Sequence, residues 1–479
     1  MRQLKGALSA VLLMISDVAA LLASFLAAYI LRSSMLVSII PGFREIEPLP
    51  LGTQLRLGFL YGAVIVLGVF AYERLYSKRL DFWEETRQLL KSVTVSSVFI
   101  MVLVFVSRQY IYYSRAVIVL TWLLALVVFP LFRLAAKKML VRAGLWKKKI
   151  LVLGTDDTAR LVAQGIKDSP SLGYEVVGFL SQSPGEKEAP IEGGRVLGAI
   201  PDLERVSQEQ GVKDFIITLA SLPQAELIRV IERCDGVAES IRIVPNIGSL
   251  FTLGIEVENV GDVLALNLNR NLEKNWNVLI KNIFEYLLIV FFLAALLPVF
   301  LLTAILIKID SRGPVFFIQD RLGRKGRRFR MIKFRSMHLD GDRRLEAYLA
   351  AHPAAEKEWE RFQKLRGHDP RITRIGRILR RLSLDEIPQL VNVLGGDMSL
   401  VGPRPYLPRE EEILNSSRAY ISRVKPGITG LWQVRGRNLL TFQERILLDE
   451  YYIRNWSLWL DIVILIKTPK VLAKSEGAF

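Results

Sequence analysis

Long apolar runs dominate the first third of the chain. Residues 7–32 are apolar apart from Asp17, three serines and Arg32 at the end of the run. Three further apolar runs lie at 57–72, 92–107 and 115–133. Roughly 20 apolar helical residues cross the ~30 Å core of a bilayer, and the flanks of the shorter runs extend them towards that length. The pattern therefore predicts four transmembrane helices.

Basic residues flank these runs unequally. Those expected on one side of the membrane include Arg2, Lys5, Arg74, Lys78, Arg79, Arg87, Lys91, Arg133, Lys137, Lys138 and Arg142. The loops on the other side carry fewer. By the positive-inside rule, both ends of a membrane domain at 1–147 lie in the cytoplasm. Asp17 is about two turns from the interface, where snorkelling or a helix–helix hydrogen bond explains it at least as well as a functional role.

Residues 148–265 change to shorter, alternating elements. Apolar, strand-like runs at 175–180, 214–219 and 240–244 follow a first one that ends at Gly154. Helical patterns alternate with them, which predicts a small parallel, Rossmann-like α/β domain. The turn after Gly154 lacks the second glycine of G-x-G-x-x-G, which lets a backbone approach a pyrophosphate. We therefore favour a structural or regulatory module over a nucleotide-binding one.

A fifth apolar run occupies 286–307. At about 1.5 Å per residue it is about 33 Å long, enough to cross a membrane. Both flanks are basic, however, and a crossing would place the strongly basic remainder of the chain outside. Pro298 removes a backbone hydrogen bond at mid-run and kinks a helix. We predict that 278–308 form a re-entrant helix, bent near Leu297, that anchors an α/β catalytic domain at 266–479.

Composition supports a membrane protein with anionic partners. The 479 residues are 51% hydrophobic, carry a formal net charge of +17 and have a mean hydropathy of +0.29. Strong basicity fits a membrane surface, a nucleic acid or a polyphosphate substrate. One cysteine, Cys234, excludes an internal disulfide, and three histidines argue against a His-rich metal site or a Ser-His-Asp triad.

The strongest charge run lies directly after the fifth apolar run. Residues 321–335 include eight basic side chains, of which Lys333 and Arg335 alternate with apolar residues as in a strand. Beside a membrane anchor, such a run is expected to meet anionic headgroups and substrate phosphates rather than nucleic acid.

Two adjacent carboxylates, Asp385 and Glu386, follow a pair of arginines. Ser383 stands three residues before Glu386, which predicts a capping box and a helix start at Ser383. Asp385 would then lie in the first helical turn, whose dipole also attracts phosphate. The combination suits phosphate chemistry with a carboxylate nucleophile and a metal.

Five segments carry a resemblance to a known family. They are GPVFFIQDRLGRKGRRFRMIKFRSM at 313–337, DPRITRIGRILRRLSLDEIPQL at 369–390, NVLGGDMSLVGPRP at 392–405, KPGITGLWQVRGRN at 425–438 and DEYYIRNWSLWLDIVILIKT at 449–468. In order and spacing they resemble the bacterial sugar transferases, the polyprenyl-phosphate phosphoglycosyl transferases. That family moves a sugar 1-phosphate from a UDP-sugar to undecaprenyl phosphate, on the cytoplasmic face of the bacterial inner membrane.

The resemblance implies roles for individual residues. Asp385 becomes the nucleophile of a phosphosugar–enzyme intermediate, Glu386 a ligand of Mg²⁺, and Asp449 a third active-site carboxylate. Candidates for binding substrate are Lys333, Arg335, Arg380, Arg381, Arg404, Gln433 and Arg437. The re-entrant helix is also implied, with a break at Pro298.

The anchor departs from the family pattern at two places. Relatives often begin this helix with Lys-Arg and then Asp, where this chain has Lys281, Asn282 and Glu285. They often have Ser before the proline, where this chain has Leu297.

The resemblance to the galactose-transferring branch extends through the four spans and the last segment. It makes UDP-galactose the first expected donor, with UDP-glucose next, and the lipid product the start of an O-antigen, capsule or exopolysaccharide. Membrane lipids are further expected partners, a homodimer is left open, and nucleic acid is not expected.

Two other classes of protein are alternatives to a sugar transferase. A membrane-bound, NAD-dependent nucleotide-sugar dehydratase or epimerase needs a full glycine fingerprint and a Tyr-x-x-x-Lys pair, and no tyrosine here stands four residues before a lysine. A non-catalytic assembly scaffold would carry a decayed transferase domain, against which the intact Asp385 and Glu386 argue.

Overall fold

The structure is a computed structural model. It describes residues 2–39, 50–106, 114–182, 194–218, 222–244, 255–260, 263–268, 271–352, 369–436 and 440–474. The chain divides into two compact units, Met1–Ile247 and Gly248–Phe479. The first unit contains both the predicted membrane helices and the α/β elements that follow them. The expected domain boundaries after residues 147 and 265 remain predictions.

The first unit opens with four long helices. They are α1 (Arg2–Ile30), α2 (Leu60–Tyr72), α3 (Phe82–Val106) and α4 (Arg115–Arg142). Short helical and π-helical segments extend α1 to Ile39 and precede α2 from Leu51. Among the described residues, five helices are long and apolar enough to cross a membrane, and four of them lie here. The prediction of a membrane protein is therefore confirmed.

Buried charges join these helices. Arg133 of α4 donates from Nε and Nη2 to the two carboxylate oxygens of Asp17 on α1, at 2.8 and 2.6 Å. Lys137 Nζ lies 2.8 Å from Glu85 on α3. Two cations and two anions thus offset one another inside the bundle, where an unpaired charge would be costly. Asp17 therefore forms a helix–helix hydrogen bond, which is one of the two structural roles predicted for it.

A five-stranded sheet follows the helices. Its elements are β1 (Lys148–Leu153), α5 (Asp157–Asp168), β2 (Tyr174–Ser181), β3 (Val196–Ala199), α6 (Leu203–Gln210), β4 (Asp214–Ile217), α7 (Gln224–Asp235) and β5 (Ser240–Ile243). The strand order is β3-β2-β1-β4-β5, and every neighbouring pair is parallel. The predicted Rossmann-like parallel sheet is confirmed.

The first turn of this sheet does not favour a dinucleotide. The Asp156 side chain accepts a hydrogen bond of 2.9 Å from the backbone N–H of Ala159 at the start of α5. A Rossmann domain binds the pyrophosphate of its ligand at this helix terminus. A carboxylate there repels a pyrophosphate at this turn, and the role of the domain stays a prediction.

The second unit is mainly helical with short strands. Its elements are β6 (Ile255–Val260), β7 (Val263–Leu268), α8 (Asn275–Asp310), β8 (Phe316–Leu322), β9 (Arg328–Phe334), α9 (Gly341–Ala351), α10 (Arg374–Leu382), α11 (Gln389–Leu394), β10 (Ser399–Val401), α12 (Asn415–Ile421), β11 (Gly427–Thr429), α13 (Leu431–Arg435), α14 (Phe442–Arg454) and α15 (Leu458–Lys474). β6–β7 and β8–β9 are antiparallel pairs, and β10–β11 is parallel.

The fifth apolar run forms the long helix α8, which continues through Pro298. Both of its halves contact the same unit. In the first half, Ile289 packs in a cluster with Met331 and Met398. In the second half, the Phe300 ring lies 4.9 Å from that of Phe334. Between these contacts most of the apolar side chains are exposed, as expected for a surface that faces lipid.

A buried ion cluster fixes the start of α8. Lys281 Nζ lies 2.6 Å from Asp461 of α15 and 2.9 Å from Glu285 one turn along α8. Tyr452 donates to Asp461 at 2.7 Å, and Ser399 donates to Glu285 at 2.6 Å. Lys281 and Glu285, which stand in the stretch where relatives often have Lys-Arg and then Asp, therefore tie α8 to α14, α15 and β10.

Replacing Lys281 with Met would leave two buried carboxylates, Asp461 and Glu285, without their cation. We expect the free energy of unfolding of this unit to fall by about 3–5 kcal/mol, the cost of breaking a buried ion pair. A lower midpoint of thermal unfolding of the detergent-solubilised protein measures this. Lys308→Met, at the exposed end of the same helix, is the control. Equal midpoints for the two variants would contradict the anchoring role.

Candidate active site

The β8–β9 hairpin presents different side chains on its two faces. On one face the Phe316 and Phe334 rings stack at 5.7 Å, and both lie within 6.0 Å of Phe300 on α8. On the other face Phe317 pairs with Lys333, and both line a cavity of about 760 Å³. One hairpin thus connects the membrane helix to a large polar cavity of this unit.

The carboxylate pair reaches this cavity from a tight turn. α10 ends at Leu382, and Ser383 closes it in a left-handed conformation with φ 54°. A single 3₁₀ turn, Leu384–Glu386, then carries both acids, and α11 begins only at Gln389. The predicted capping box is wrong, because a helix from Ser383 would place Pro388, which has no N–H, in its interior.

Electrostatics keep the two carboxylates distinct. Lys333 Nζ donates to Glu386 Oε1 at 2.8 Å. Burial and the neighbouring Glu386 raise the pKa of Asp385 to about 6, while the positive charges of Lys333 and Arg380 act in the opposite direction. Asp385 is therefore mostly ionised at neutral pH, but it loses its charge under mildly acidic conditions.

The cavity is built for an anion. Its basic lining residues are Arg321, Lys333, Arg335, Arg371, Arg380 and Arg409. Three acids, Asp342, Asp385 and Glu386, stand among the described lining residues, so positive charge is in excess. Arg380 Nε donates to Ser336 Oγ at 2.9 Å, which holds the guanidinium in place. Such a set of donors and charges suits the phosphate groups of a ligand.

The structure separates the two consecutive arginines. Arg380 lines the cavity, and burial lowers the pKa of its guanidinium. Arg381 is exposed and lies outside the cavity lining. Successive residues of an α-helix point about 100° apart, so the two cannot face one site. The expectation that Arg381 binds substrate is not supported by its position.

Arg335 lines the cavity, but both terminal nitrogens of its guanidinium are bonded to the chain. Only 5% of the residue is exposed. Nη1 donates to the carbonyl of Arg312 at 2.8 Å, and Nη2 donates to the carbonyl and hydroxyl of Ser311 at 2.7 and 2.8 Å. Arg335 therefore closes the end of α8 while its positive charge remains at the cavity wall.

Asp449 lies outside the cavity lining and is fully buried. Its Oδ2 accepts hydrogen bonds from the Arg404 N–H at 3.0 Å and the Tyr406 hydroxyl at 2.9 Å. Burial raises the pKa of Asp449 to about 7, and these donors partly offset that shift. In this structure Asp449 contacts the loop that carries Arg404, and its place among the reacting groups stays a prediction.

Of the three remaining predicted residues, Gln433 and Arg404 lie at or beside the part of the cavity that contains Trp432. Gln433 lines it and donates from Nε2 to the carbonyl of Ile428 at 3.1 Å. Arg404 lies outside the lining, with its guanidinium 5.6 Å from the centroid of the lining residue Trp432. Arg437 lies outside the described residues.

Several lining residues were missed by sequence reasoning. They are Arg321, Ser336, His338, Arg371, Arg409 and Trp432. The two-residue alternation from Phe317 through Gln319 to Arg321 could have indicated the first of these. The others come from separate loops and turns, which no local pattern brings together.

The residues at this site fit Mg²⁺. Asp385 and Glu386 offer hard oxygen ligands at one wall of a cavity suited to phosphates. Mg²⁺ is commonly held by one or two carboxylates together with phosphate oxygens and water. In the described ranges no group of three or more His, Cys, Asp or Glu could hold a metal. A metal here would therefore share its coordination with the substrate.

Comparison with known proteins identifies the class. Residues 276–475 match the bacterial sugar transferase family. The chain is 33% identical over 435 residues to an undecaprenyl-phosphate galactose phosphotransferase of Salmonella typhimurium, covering 90% of this chain and 89% of that protein. It therefore belongs to the bacterial sugar transferase family, and the predicted phosphoglycosyl transferase is confirmed.

Further relatives agree. A UDP-galactose-lipid carrier transferase of Erwinia amylovora is 32% identical, with 87% of each chain covered. A UDP-glucose:undecaprenyl-phosphate glucose-1-phosphate transferase of Xanthomonas campestris is 33% identical, with 70% of this chain and 69% of that protein covered. These matches favour neither a dehydratase or epimerase nor a non-catalytic scaffold. Residues 67–245 also match a family described as a CoA-binding domain.

The consecutive arginines provide a matched test of the site. Arg380→Gln should lower kcat/KM for sugar-phosphate transfer by about 10- to 100-fold, since a hydrogen bond to a charged group contributes about 1.5–3 kcal/mol. Arg381→Gln should change it less than about threefold, because the side chain is exposed. Equal losses in the two variants would show that the cavity described here does not hold the phosphates.

Proposed function

We propose that this protein transfers a sugar 1-phosphate from a UDP-sugar to undecaprenyl phosphate and so initiates a surface polysaccharide. The observation that carries the proposal is the Asp385–Glu386 pair at the wall of a basic cavity whose hairpin also contacts an apolar helix. A water-soluble nucleotide sugar and a lipid phosphate can both reach such a site. The names of relatives that span most of the chain support the two substrates.

In the first step, a carboxylate oxygen of Asp385 attacks the β-phosphorus of the UDP-sugar. The bond between that phosphorus and the oxygen bridging to the α-phosphate breaks, and UMP leaves with the bridging oxygen. Arg380 and Lys333 stabilise the charge that develops on the phosphoryl oxygens. The product is a mixed anhydride between the Asp385 carboxyl group and the sugar 1-phosphate.

In the second step, a phosphate oxygen of undecaprenyl phosphate attacks the same phosphorus. The bond to Asp385 breaks, which returns the free carboxylate and forms undecaprenyl diphosphate sugar. Because the transfer is split into two steps, the anionic product UMP can leave before the anionic undecaprenyl phosphate attacks.

Glu386, with Asp385 beside it, would hold Mg²⁺ in this scheme. The ion, when bound, masks phosphate charge and acts as a Lewis acid towards the diphosphate. The ion pair with Lys333 orients Glu386 for that role.

Galactose 1-phosphate is the proposed cargo. Two relatives that are named for galactose are matched over 90% and 87% of this chain, and the glucose-1-phosphate transferase over 70%. Glucose is the alternative sugar.

We further propose that α8 is re-entrant, so that the catalytic unit lies on the cytoplasmic face of the bacterial inner membrane. Ile289 and Phe300, on the two halves of α8, both pack against the β8–β9 hairpin. A helix held at both halves by one polar domain keeps its two ends on one side of the membrane. The basic flanks of the helix favour the same side.

Single-cysteine labelling tests this topology. In a Cys234→Ser background, cysteines are placed at the exposed positions Lys274 and Lys308. These positions lie on either side of the apolar run of α8. We expect a membrane-impermeant maleimide to modify both only after the cells are permeabilised. Arg115→Cys, at the predicted outer end of α4, is the control that reacts in intact cells. Reaction at Lys308→Cys in intact cells would mean that α8 crosses the membrane.

UMP release tests the reaction and its nucleophile together. Purified wild-type protein with Mg²⁺ and undecaprenyl phosphate should release UMP from UDP-galactose, or from UDP-glucose if that is the donor. Asp385→Asn should reduce the rate by at least about 1,000-fold, as expected for loss of a nucleophile. Asp397→Asn, an exposed acid outside the cavity lining, is the control. Similar rates for Asp385→Asn and wild type would refute the assignment.

The same assay has a defined pH dependence. Since the pKa of Asp385 is raised to about 6 and the carboxylate is the attacking form, the rate should fall about tenfold per pH unit below that value. Lys333→Met removes a positive charge that lowers this pKa, so its profile should shift to higher pH. A rate that stays constant well below pH 6 would argue against Asp385 as the attacking group.

A further inference from the structure

The catalytic cavity has two chemically different ends. One end is lined by the apolar side chains of Phe317, Met337 and Leu339. The other is lined by Arg321, Arg409, Trp432 and Gln433. Phe317 and Arg321 lie on one face of β8, four residues and so about 13 Å apart. The polarity of the cavity therefore changes along a single strand.

The apolar end adjoins the membrane helix. β8 begins at Phe316, six residues after α8 ends at Asp310. A Cβ built on Gly313 in this connection would lie 2.8 Å from Leu339 Cδ1, so the leucine side chain rests against the exit of α8. The charge of Arg335, whose guanidinium holds the carbonyls of Ser311 and Arg312, lies at the same place.

The apolar side chains at this end are not covered by the protein. Phe317 is 49% exposed and Leu339 is 69% exposed, although both line the cavity. Uncovered apolar area next to a membrane-embedded helix is expected to be covered by a ligand or by lipid. A nucleotide sugar, with its hydroxyls and phosphates, is a poor match for this end of the cavity.

We propose that Phe317 and Leu339 form the entrance for the acceptor lipid and contact the first isoprene units of its chain. The inference rests on the proposed function, since the phosphate of a polyprenyl phosphate must meet the phosphosugar on Asp385 while its chain remains in the bilayer. Lys333, the direct strand partner of Phe317, is bonded to Glu386. A lipid phosphate beside Lys333 therefore places its first carbons on the Phe317 ring.

The geometry also divides the cavity between the substrates. The acceptor enters from the α8 side past Leu339, and the nucleotide sugar occupies the end near Arg321 and Trp432. The Asp385–Glu386 pair can be reached from both ends of the cavity. Phe317 and Leu339 thus determine acceptor specificity, and they act on the second half-reaction.

Steady-state kinetics in detergent test the entrance. Phe317→Ser and Leu339→Ser should each raise the KM for undecaprenyl phosphate by about tenfold or more, the effect of losing one buried apolar side chain. The KM for the nucleotide sugar should change less than about twofold. Ile318→Ser is the matched control, because Ile318 is a neighbour on β8 that is 55% exposed and lies outside the cavity lining. An unchanged acceptor KM in the first two variants, or an equal rise in Ile318→Ser, would overturn the proposal.

Photolabelling separates this proposal from the reaction itself. A diazirine placed on the first isoprene unit of undecaprenyl phosphate, used without any nucleotide sugar, should label peptides containing Phe317 or Leu339. UMP release is measured separately, with the nucleotide sugar present. Labelling of these peptides together with no UMP release in that assay would retain the lipid entrance and refute the proposed reaction. UMP release with labelling confined to other peptides would retain the reaction and overturn the entrance.

Discussion

A lysine buried between two carboxylates fixes the membrane helix to the domain that performs the chemistry. Lys281 lies on α8 and Asp461 on α15, and the hydrogen bonds of Tyr452 and Trp456 to Asp461 complete the cluster. Removing such charges from water is costly, and only close pairing offsets it. Because most of the apolar side chains between the contacts of α8 remain exposed, this cluster, together with Ile289 and Phe300, determines how the helix sits against its own unit.

The position of α8 then determines the position of the site. Phe300 supports one face of the β8–β9 hairpin, and the opposite face carries Lys333 to Glu386. Arg335 links the end of α8 to the same strand. The carboxylate pair Asp385–Glu386 is consequently held beside α8 by contacts that run through two strands. Each strand faces α8 on one side and the cavity on the other.

Much of this arrangement follows from local patterns. The apolar runs, the alternating strands and helices of the α/β part, and the adjacent carboxylates Asp385 and Glu386 could be read directly. Which side chains of α10 face the cavity could not be predicted, because this depends on where the helix begins. It begins after Thr373, whose hydroxyl accepts a hydrogen bond of 2.9 Å from the Gly376 N–H. The S-x-x-E spacing at Ser383 was misleading because Pro388 moves the next helix start to Gln389. The partner of Lys281 could not be predicted, since Asp461 is 180 residues away.

The central claim is that Asp385 carries the sugar phosphate between donor and acceptor. It is tested most directly by the mass of the intact protein, quenched after mixing with Mg²⁺ and the UDP-sugar donor in the absence of undecaprenyl phosphate. We expect the protein to gain the mass of one hexose phosphate on the peptide that contains Asp385. This added mass should be lost when the lipid phosphate is supplied. Transfer to the lipid without any such adduct, at times when UMP is already released, would contradict it and indicate direct transfer between the two substrates.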